Sequence, residues 1–213
     1  MLKTMLIGAA AVSAMAGAAH AASFSFQTNL STDDEVQLFN FTVGATSTVT
    51  LRTFSYAGGV QADGTVVSAG GFDPILSLFD SSGTFIDGND DGAGVPVDPE
   101  TGAPFDTEFS ATLDPGTYTV AVSQYDNFAL GDLGDGFVRD GQTNFTFTDG
   151  FCDPAQPDFD DGFFCDVTGD DRTGFLAFDI TGVDTAAIVP VPGAVLLFGS
   201  MLAGAGVFRR SKA

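Results

Sequence analysis

The chain of 213 residues carries 28 acidic side chains against 7 basic ones, a formal charge of −21, with one histidine and no tryptophan. Such a surface repels nucleic acid and anionic membranes, and it favours cations and solubility. The 22 phenylalanines can supply a genuine core, which argues against disorder despite the charge.

At the start, Lys3 is followed by the apolar run "MLIGAAAVSAMAGAA" and then by Ala19-His20-Ala21. A charged start, a short apolar centre and a small-x-small site predict a helical secretory signal over residues 1–21, cleaved after Ala21. Cleavage removes His20, the only histidine. From Ala22 to Ile188 there is no lysine, and Arg52, Arg139 and Arg172 face all 28 carboxylates, a formal charge of −25. That stretch is long enough for one domain with its own core. Its catalytic inventory is narrow: it lacks a histidine base and a Schiff-base lysine, and its two cysteines are expected to be paired. The enzyme class left open is acid catalysis by a pair of carboxylates. The expectation is a protein that is not an enzyme.

The body, residues 22–184, reads as short strands between turns. "VQLFNFTV" (Val36 to Val43) sets Phe39, Phe41 and Val43 on one face, and "TVTLRTF" (Thr48 to Phe54) places Val49 and Leu51 together. "PILSLFD" (Pro74 to Asp80) is a short apolar run. Further on, "TYTVAVSQY" (Thr117 to Tyr125) alternates Tyr118, Val120 and Val122 against Thr119, Ala121 and Ser123. Alternation over four to eight residues marks half-buried strands. Asp80-Ser-Ser-Gly83 and Asp114-Pro-Gly116 are turn sequences, with proline presetting φ and glycine accepting a positive φ. About eight such strands, without any sustained helical period, predict an all-β antiparallel β-sandwich.

Two stretches carry a family resemblance: "FDPILSLFDSSGTFIDGNDDG" (Phe72 to Gly92) and "LDPGTYTVAVSQYD" (Leu113 to Asp126). They resemble the bacterial pre-peptidase C-terminal domain, a jelly-roll-like β-sandwich commonly appended to secreted peptidases. The resemblance covers roughly Gln37 to Tyr125 and implies that fold. No peptidase accompanies it here, so an activity does not come with it.

Inside the first stretch, Asp87-Gly-Asn89-Asp90-Asp91-Gly92 gathers oxygen ligands next to glycine, as does Asp158-Phe-Asp160-Asp161-Gly162 further on. Calcium takes six to eight oxygens from carboxylates, amides and carbonyls, and glycine permits the sharp turn that collects them. Asp87, Asn89, Asp90 and Asp91 are therefore candidate calcium ligands, against the alternative of a solvated Asx turn. For a sugar, stacking calls on tryptophan or tyrosine, and the chain has only Tyr56, Tyr118 and Tyr125. Tyr125, at a strand end beside Asp126 and Asn127, is the candidate ligand contact.

From about residue 127 to 173 the body becomes acidic and glycine-rich. Cys152 and Cys165 fall in this extension, and an even count in an exported protein predicts a disulfide that staples it. "TNFTFT" (Thr143 to Thr148) is expected to add a strand, and "GFLAFDI" (Gly174 to Ile180) is the last strand of the body.

Residues 185–213 form the tail. From Thr185 to Phe208 there is no charge, and Arg209, Arg210 and Lys212 follow at once. The run exceeds the roughly 18 residues that make a spanning helix plausible. Positive charge stays on the cytoplasmic side, which puts the acidic body outside. The order of a Pro-containing motif, an apolar helix and an arginine cluster resembles the PEP-CTERM class of bacterial sorting tails. Val189-Pro190-Val191-Pro192 stands where that class has Val-Pro-Glu-Pro, and is closer to the Val-Pro-Leu-Pro-Ala variants. The resemblance implies an exosortase-like processing enzyme as partner, passage through the inner membrane and release at a Gram-negative cell surface. An ordinary anchor is the alternative. The functional expectation is a non-enzymatic exported surface or matrix protein. The alternatives are a calcium-dependent module for extracellular polysaccharide and a secreted carboxylate hydrolase.

Overall fold

Two antiparallel sheets face each other in the computed structural model, which describes residues 21–155 and 162–190. The first sheet takes strands β1 (Ala22–Asn29), β12 (Phe175–Val183), β3 (Ser47–Thr53) and β8 (Glu108–Leu113), in that order. The second takes β13 (Thr185–Ile188), β2 (Gln37–Val43), β9 (Gly116–Gln124), β6 (Pro74–Phe79) and β7 (Phe85–Asp90). Two short ribbons lie outside them: β4 (Gly59–Val60) with β5 (Val66–Val67), and β10 (Phe164–Cys165) with β11 (Asp171–Arg172).

The alternation read from the sequence is the alternation of the core. Phe39 and Phe41 of β2, Leu76 and Leu78 of β6, and Val120 and Val122 of β9 meet Val49, Leu51, Leu176, Phe178 and Ile180 of the facing sheet. Phe39 lies between Phe26 and Phe178, with ring centroids 5.0 and 4.9 Å away, so β1 and β12 close over β2 through aromatic contacts. All six residues of β6 are buried, which a two-layer sandwich alone does not explain. The reason is a third layer: Phe137, Ala129 and Leu133 of the extension pack on Phe79 and Ala121 over the outer face of the second sheet. A strand covered on both faces reads as a continuous apolar run, as "PILSLF" does.

Three segments depart from the sequence reading. "TNFTFT" supplies a helical turn, α1 (Phe145–Thr148), where a strand was expected. The buried Asp33 carboxylate accepts the amides of Asn144 (2.7 Å) and Thr146 (2.8 Å), so a side chain satisfies donors that a neighbouring strand would otherwise serve. Asn144 tolerates the left-handed conformation this needs, at φ 67°. Secondly, Asp87 to Asp90 are not a turn. They belong to edge strand β7, paired with β6 from Ile75↔Asp90 to Leu78↔Asp87. As an exposed edge, β7 carries no apolar alternation to announce it. Thirdly, the charge-free run begins as β13, paired with β2 from Thr185↔Thr42 to Ile188↔Phe39, so the sandwich continues past residue 184.

Cys152 and Cys165 form the expected disulfide, with Cα atoms 5.1 Å apart. The signal segment, Asp158 to Asp161, and the tail from Val191, including Pro192, Arg209 and Arg210, lie outside the described residues. Among the described residues, no helix is long and apolar enough to cross a membrane.

Candidate metal centre

Strand direction decides which residues meet at one end of the second sheet. β6 begins there, while its antiparallel neighbours β7 and β9 both end there. Asp73, just before β6, Asp90 and Asp91, at the end of β7, and Tyr125, just after β9, are thereby brought together. Asp73, Asp90 and Asp91 each offer a carboxylate oxygen, and these oxygens all lie within 4.8 Å of one another.

Backbone contacts fix this arrangement. The Tyr125 amide donates to the Asp73 carbonyl at 2.8 Å. Thr107, fully buried just before β8, donates its hydroxyl to the Pro74 carbonyl and accepts the Asp91 amide at 3.2 Å. Asp91 itself sits at φ 65°, a left-handed position that aspartate tolerates better than most residues. Gly92 then passes so close to β8 that a Cβ there would lie 2.6 Å from the Glu108 amide nitrogen. Any side chain at that position would push the two strands apart.

The electrostatics of the cluster are unbalanced. Asp73 is 3% exposed, and one of its oxygens, Oδ1, has no hydrogen-bond partner in the protein; Asp90 Oδ1 is also buried without one. Burial, then Asp90 and Asp91, push the Asp73 carboxyl well above the usual carboxylate range. Burial and the neighbouring Asp91 raise Asp90 to about 6, and partial desolvation of its carboxyl raises Asp91, although that residue is otherwise exposed. Unit charges at such separations repel by a few kcal/mol even at an effective dielectric of about 20.

No arginine among the described residues is free to compensate. Arg52 pairs with Glu108 (2.9 Å), and Arg139 pairs with Asp126 (2.7 Å) and Asp149 (2.8 Å). Arg172 pairs with Asp98 (3.3 Å) and Asp166 (3.5 Å), its guanidinium 3.7 Å from the centre of the Tyr56 ring. The Tyr56 hydroxyl donates to Asp166 at 2.5 Å, which completes a buried network whose Asp166 charge also acts on Asp73 and pushes it further up. Neutralising the cluster therefore takes protons or a cation from solution.

Of the four ligands expected from the sequence, Asp90 and Asp91 are in the cluster. Asp87 is exposed on β7 and accepts the amide of Gly88 (2.9 Å). Asn89 uses its amide nitrogen on the carbonyls of Asp91 and of Glu108 (3.0 Å), tying β7 to β8 across the sandwich. It shapes the site through the backbone. The carboxylate of the cluster that the sequence reading missed is Asp73. Its signal was present: an acidic residue leads directly into a run that is apolar throughout, where nothing basic is near in sequence.

Tyr125, expected to contact a ligand, stands beside the same cluster. Burial raises its hydroxyl pKa first, followed by the charges of Asp90, Asp126, Asp73 and Asp91. Its ring touches Phe128 (5.9 Å, edge-on) and stacks on Phe151 (6.0 Å).

In comparisons with known proteins, the chain matches no family model and no curated protein.

Proposed function

We propose that this chain is a non-enzymatic, exported β-sandwich whose fold is completed by calcium, held at the bacterial surface or in the extracellular matrix. The observation that carries the calcium reading is the pair of buried carboxylate oxygens, Asp73 Oδ1 and Asp90 Oδ1, without a protein partner. Asp73, Asp90 and Asp91 would hold the ion. Calcium is a hard cation that takes carboxylate oxygens in flexible geometry, which suits an all-aspartate donor set without histidine or thiolate. The ion supplies charge neutralisation and a fixed end for β6, β7 and β9.

The delivery reading rests on the two ends of the sequence. The signal-like start, the Val189-Pro190-Val191-Pro192 motif, the apolar run and Arg209-Arg210 together support PEP-CTERM-like sorting by an exosortase-like enzyme. The sandwich and its strand strings support a jelly-roll-like domain of the pre-peptidase C-terminal kind.

Thermal melting in millimolar CaCl2 against chelator tests the metal. Calcium should raise the Tm. A ligand present at 100 times its Kd adds about 2.7 kcal/mol to stability. Asp90→Asn should remove the response and Asp87→Asn should retain it. Sodium at equal ionic strength should not reproduce it. An unchanged Tm in calcium sinks the reading.

A further inference from the structure

A pocket of about 170 Å³ opens on the outer face of the second sheet and has Asp90 in its wall. Ile75, Ser77, Phe85, Gly88 and Phe128 line the rest of it, with Asn89 beside Asp90. Its size is that of one six-membered ring, since a cavity near 150 Å³ holds benzene. Its chemistry is divided. Phe85 and Phe128, 42% and 39% exposed, offer aromatic surface to solvent, while Ser77 and Asp90 offer polar groups. Gly88 keeps the edge-strand side open: a Cβ there would lie 3.0 Å from the Leu76 carbonyl oxygen and 3.2 Å from the Phe85 ring.

Asp90 belongs both to this pocket and to the carboxylate cluster. Tyr125 joins the two from the other side, its ring against Phe128 and its hydroxyl within the field of Asp73, Asp90 and Asp91. Asp91 is exposed, so the cluster is reached from solvent beside the pocket. A ligand that fills both parts needs a compact ring with an apolar face and adjacent oxygens able to reach the ion. Its charge is also constrained. No lysine or arginine lines the pocket, so an anion would find no ion-pairing donor there, and the body around it carries −25.

We infer that this pocket is a binding site for a neutral saccharide, one pyranose ring resting against Phe128 and Phe85 with a vicinal diol turned to the calcium held by Asp73, Asp90 and Asp91. The inference rests on the calcium reading above. It makes the surface protein a reader of neutral extracellular polysaccharide.

Titration calorimetry on the purified full chain tests it, with methyl α-D-mannopyranoside and methyl β-D-galactopyranoside as probes. Saturable binding of at least one is expected in calcium, at least tenfold weaker in chelator. Phe128→Ala, a change at an exposed side chain, should weaken binding at least fivefold and leave the calcium-induced rise in Tm intact. A Tm that rises in calcium while neither glycoside binds overturns the saccharide site and leaves the metal reading standing. Binding that is equal in chelator, or unaffected by Phe128→Ala, overturns it too. Tighter binding of methyl α-D-glucuronide than of the neutral probes overturns the preference for an uncharged ring. No rise in Tm with calcium removes the metal reading, and the saccharide site with it.

Discussion

The backbone amide of Tyr125 donates to the carbonyl of Asp73 at 2.8 Å, joining the end of β9 to the start of β6. This bond continues the ladder one residue beyond Pro74↔Gln124, the last pair of the two strands. It fixes a buried carboxylate next to a half-buried phenol, and Thr107 holds Asp91 against the same corner. The backbone is thus committed to an arrangement that the side-chain charges oppose. A protein can tolerate such a conflict when a cation resolves it, as buried charges are paired or coordinate metals.

Asp73→Asn separates the two sides of this conflict. In chelator the variant should be more stable than the parent, because a neutral isostere removes a buried charge crowded by two others. In millimolar calcium the order should reverse, since a ligand is lost. Paired melting curves in the two buffers read the crossing. A variant less stable in both would mean that Asp73 serves the fold through some other contact.

The pH dependence follows with its sign fixed. Asp90, raised to about 6, and Asp73, raised well above its ordinary value of 3.8, hold protons more tightly in the folded chain than in the unfolded one. The folded state then binds more protons above that ordinary value, so stability falls as pH rises through the folded pKa values. In chelator, Tm should drop between pH 5 and pH 7.5 as Asp90 ionises, and Asp90→Asn should reduce the drop. Calcium binds the ionised forms and should flatten or invert the slope. A chelator profile that rises over this interval would contradict the assigned burial.

The same corner shows how far the sequence could be read. Strands with one face in the core, such as Phe39-x-Phe41-x-Val43, announced themselves through alternation, because the pleat sends every second side chain inward. Edge strand β7 did not, since neither of its faces is fully covered and its glycine and acidic residues imitate a turn. "TNFTFT" alternates as a strand does, but the deciding partner, Asp33, is remote in sequence. Two of the three clustered carboxylates were legible as a local acidic string at Asp90-Asp91. Asp73 showed only as an acidic residue ahead of an apolar run, and the pairing of β6 with β7 is what brings it to the other two.

The disulfide should be worth about 3 kcal/mol in the loop-entropy model, for cysteines separated by 13 positions. Its loss should be felt beyond its own loop. Cys165 lies in β10, next to Phe164, whose ring stacks on Phe72 at 5.6 Å, and Phe72 directly precedes Asp73. Cys152→Ser with Cys165→Ser should lower the Tm in calcium and weaken the apparent calcium affinity. A thiol assay on the unreduced exported protein should find no free cysteine. Two free thiols would show that the bridge is not made.

The last prediction concerns where the body ends. β13 pairs with β2 through Ile188↔Phe39. Beyond it, the Val189 amide donates to the Leu38 carbonyl, and the buried Gln37 side chain donates to the Val189 carbonyl, both at 2.9 Å. The first residue of the Val-Pro-Val-Pro string is therefore fastened to the sheet, with no spacer between the fold and that string. Cleavage close to Pro190-Pro192 would leave β13 in place, whereas cleavage before Thr185 would strip it and leave β2 as an open edge, a template for pairing with other chains. Intact mass of the protein recovered from cells and medium should give a form that starts near Ala22 and retains Ile188. In purified form, a chain ended at Pro190 should melt as one cooperative unit, and a chain ended at Asp184 should melt lower and aggregate. A surface form that still carries Phe208 and Arg209 would make the tail a permanent anchor. Equal melting of the two shortened chains would mean that β13 adds nothing to the sheet.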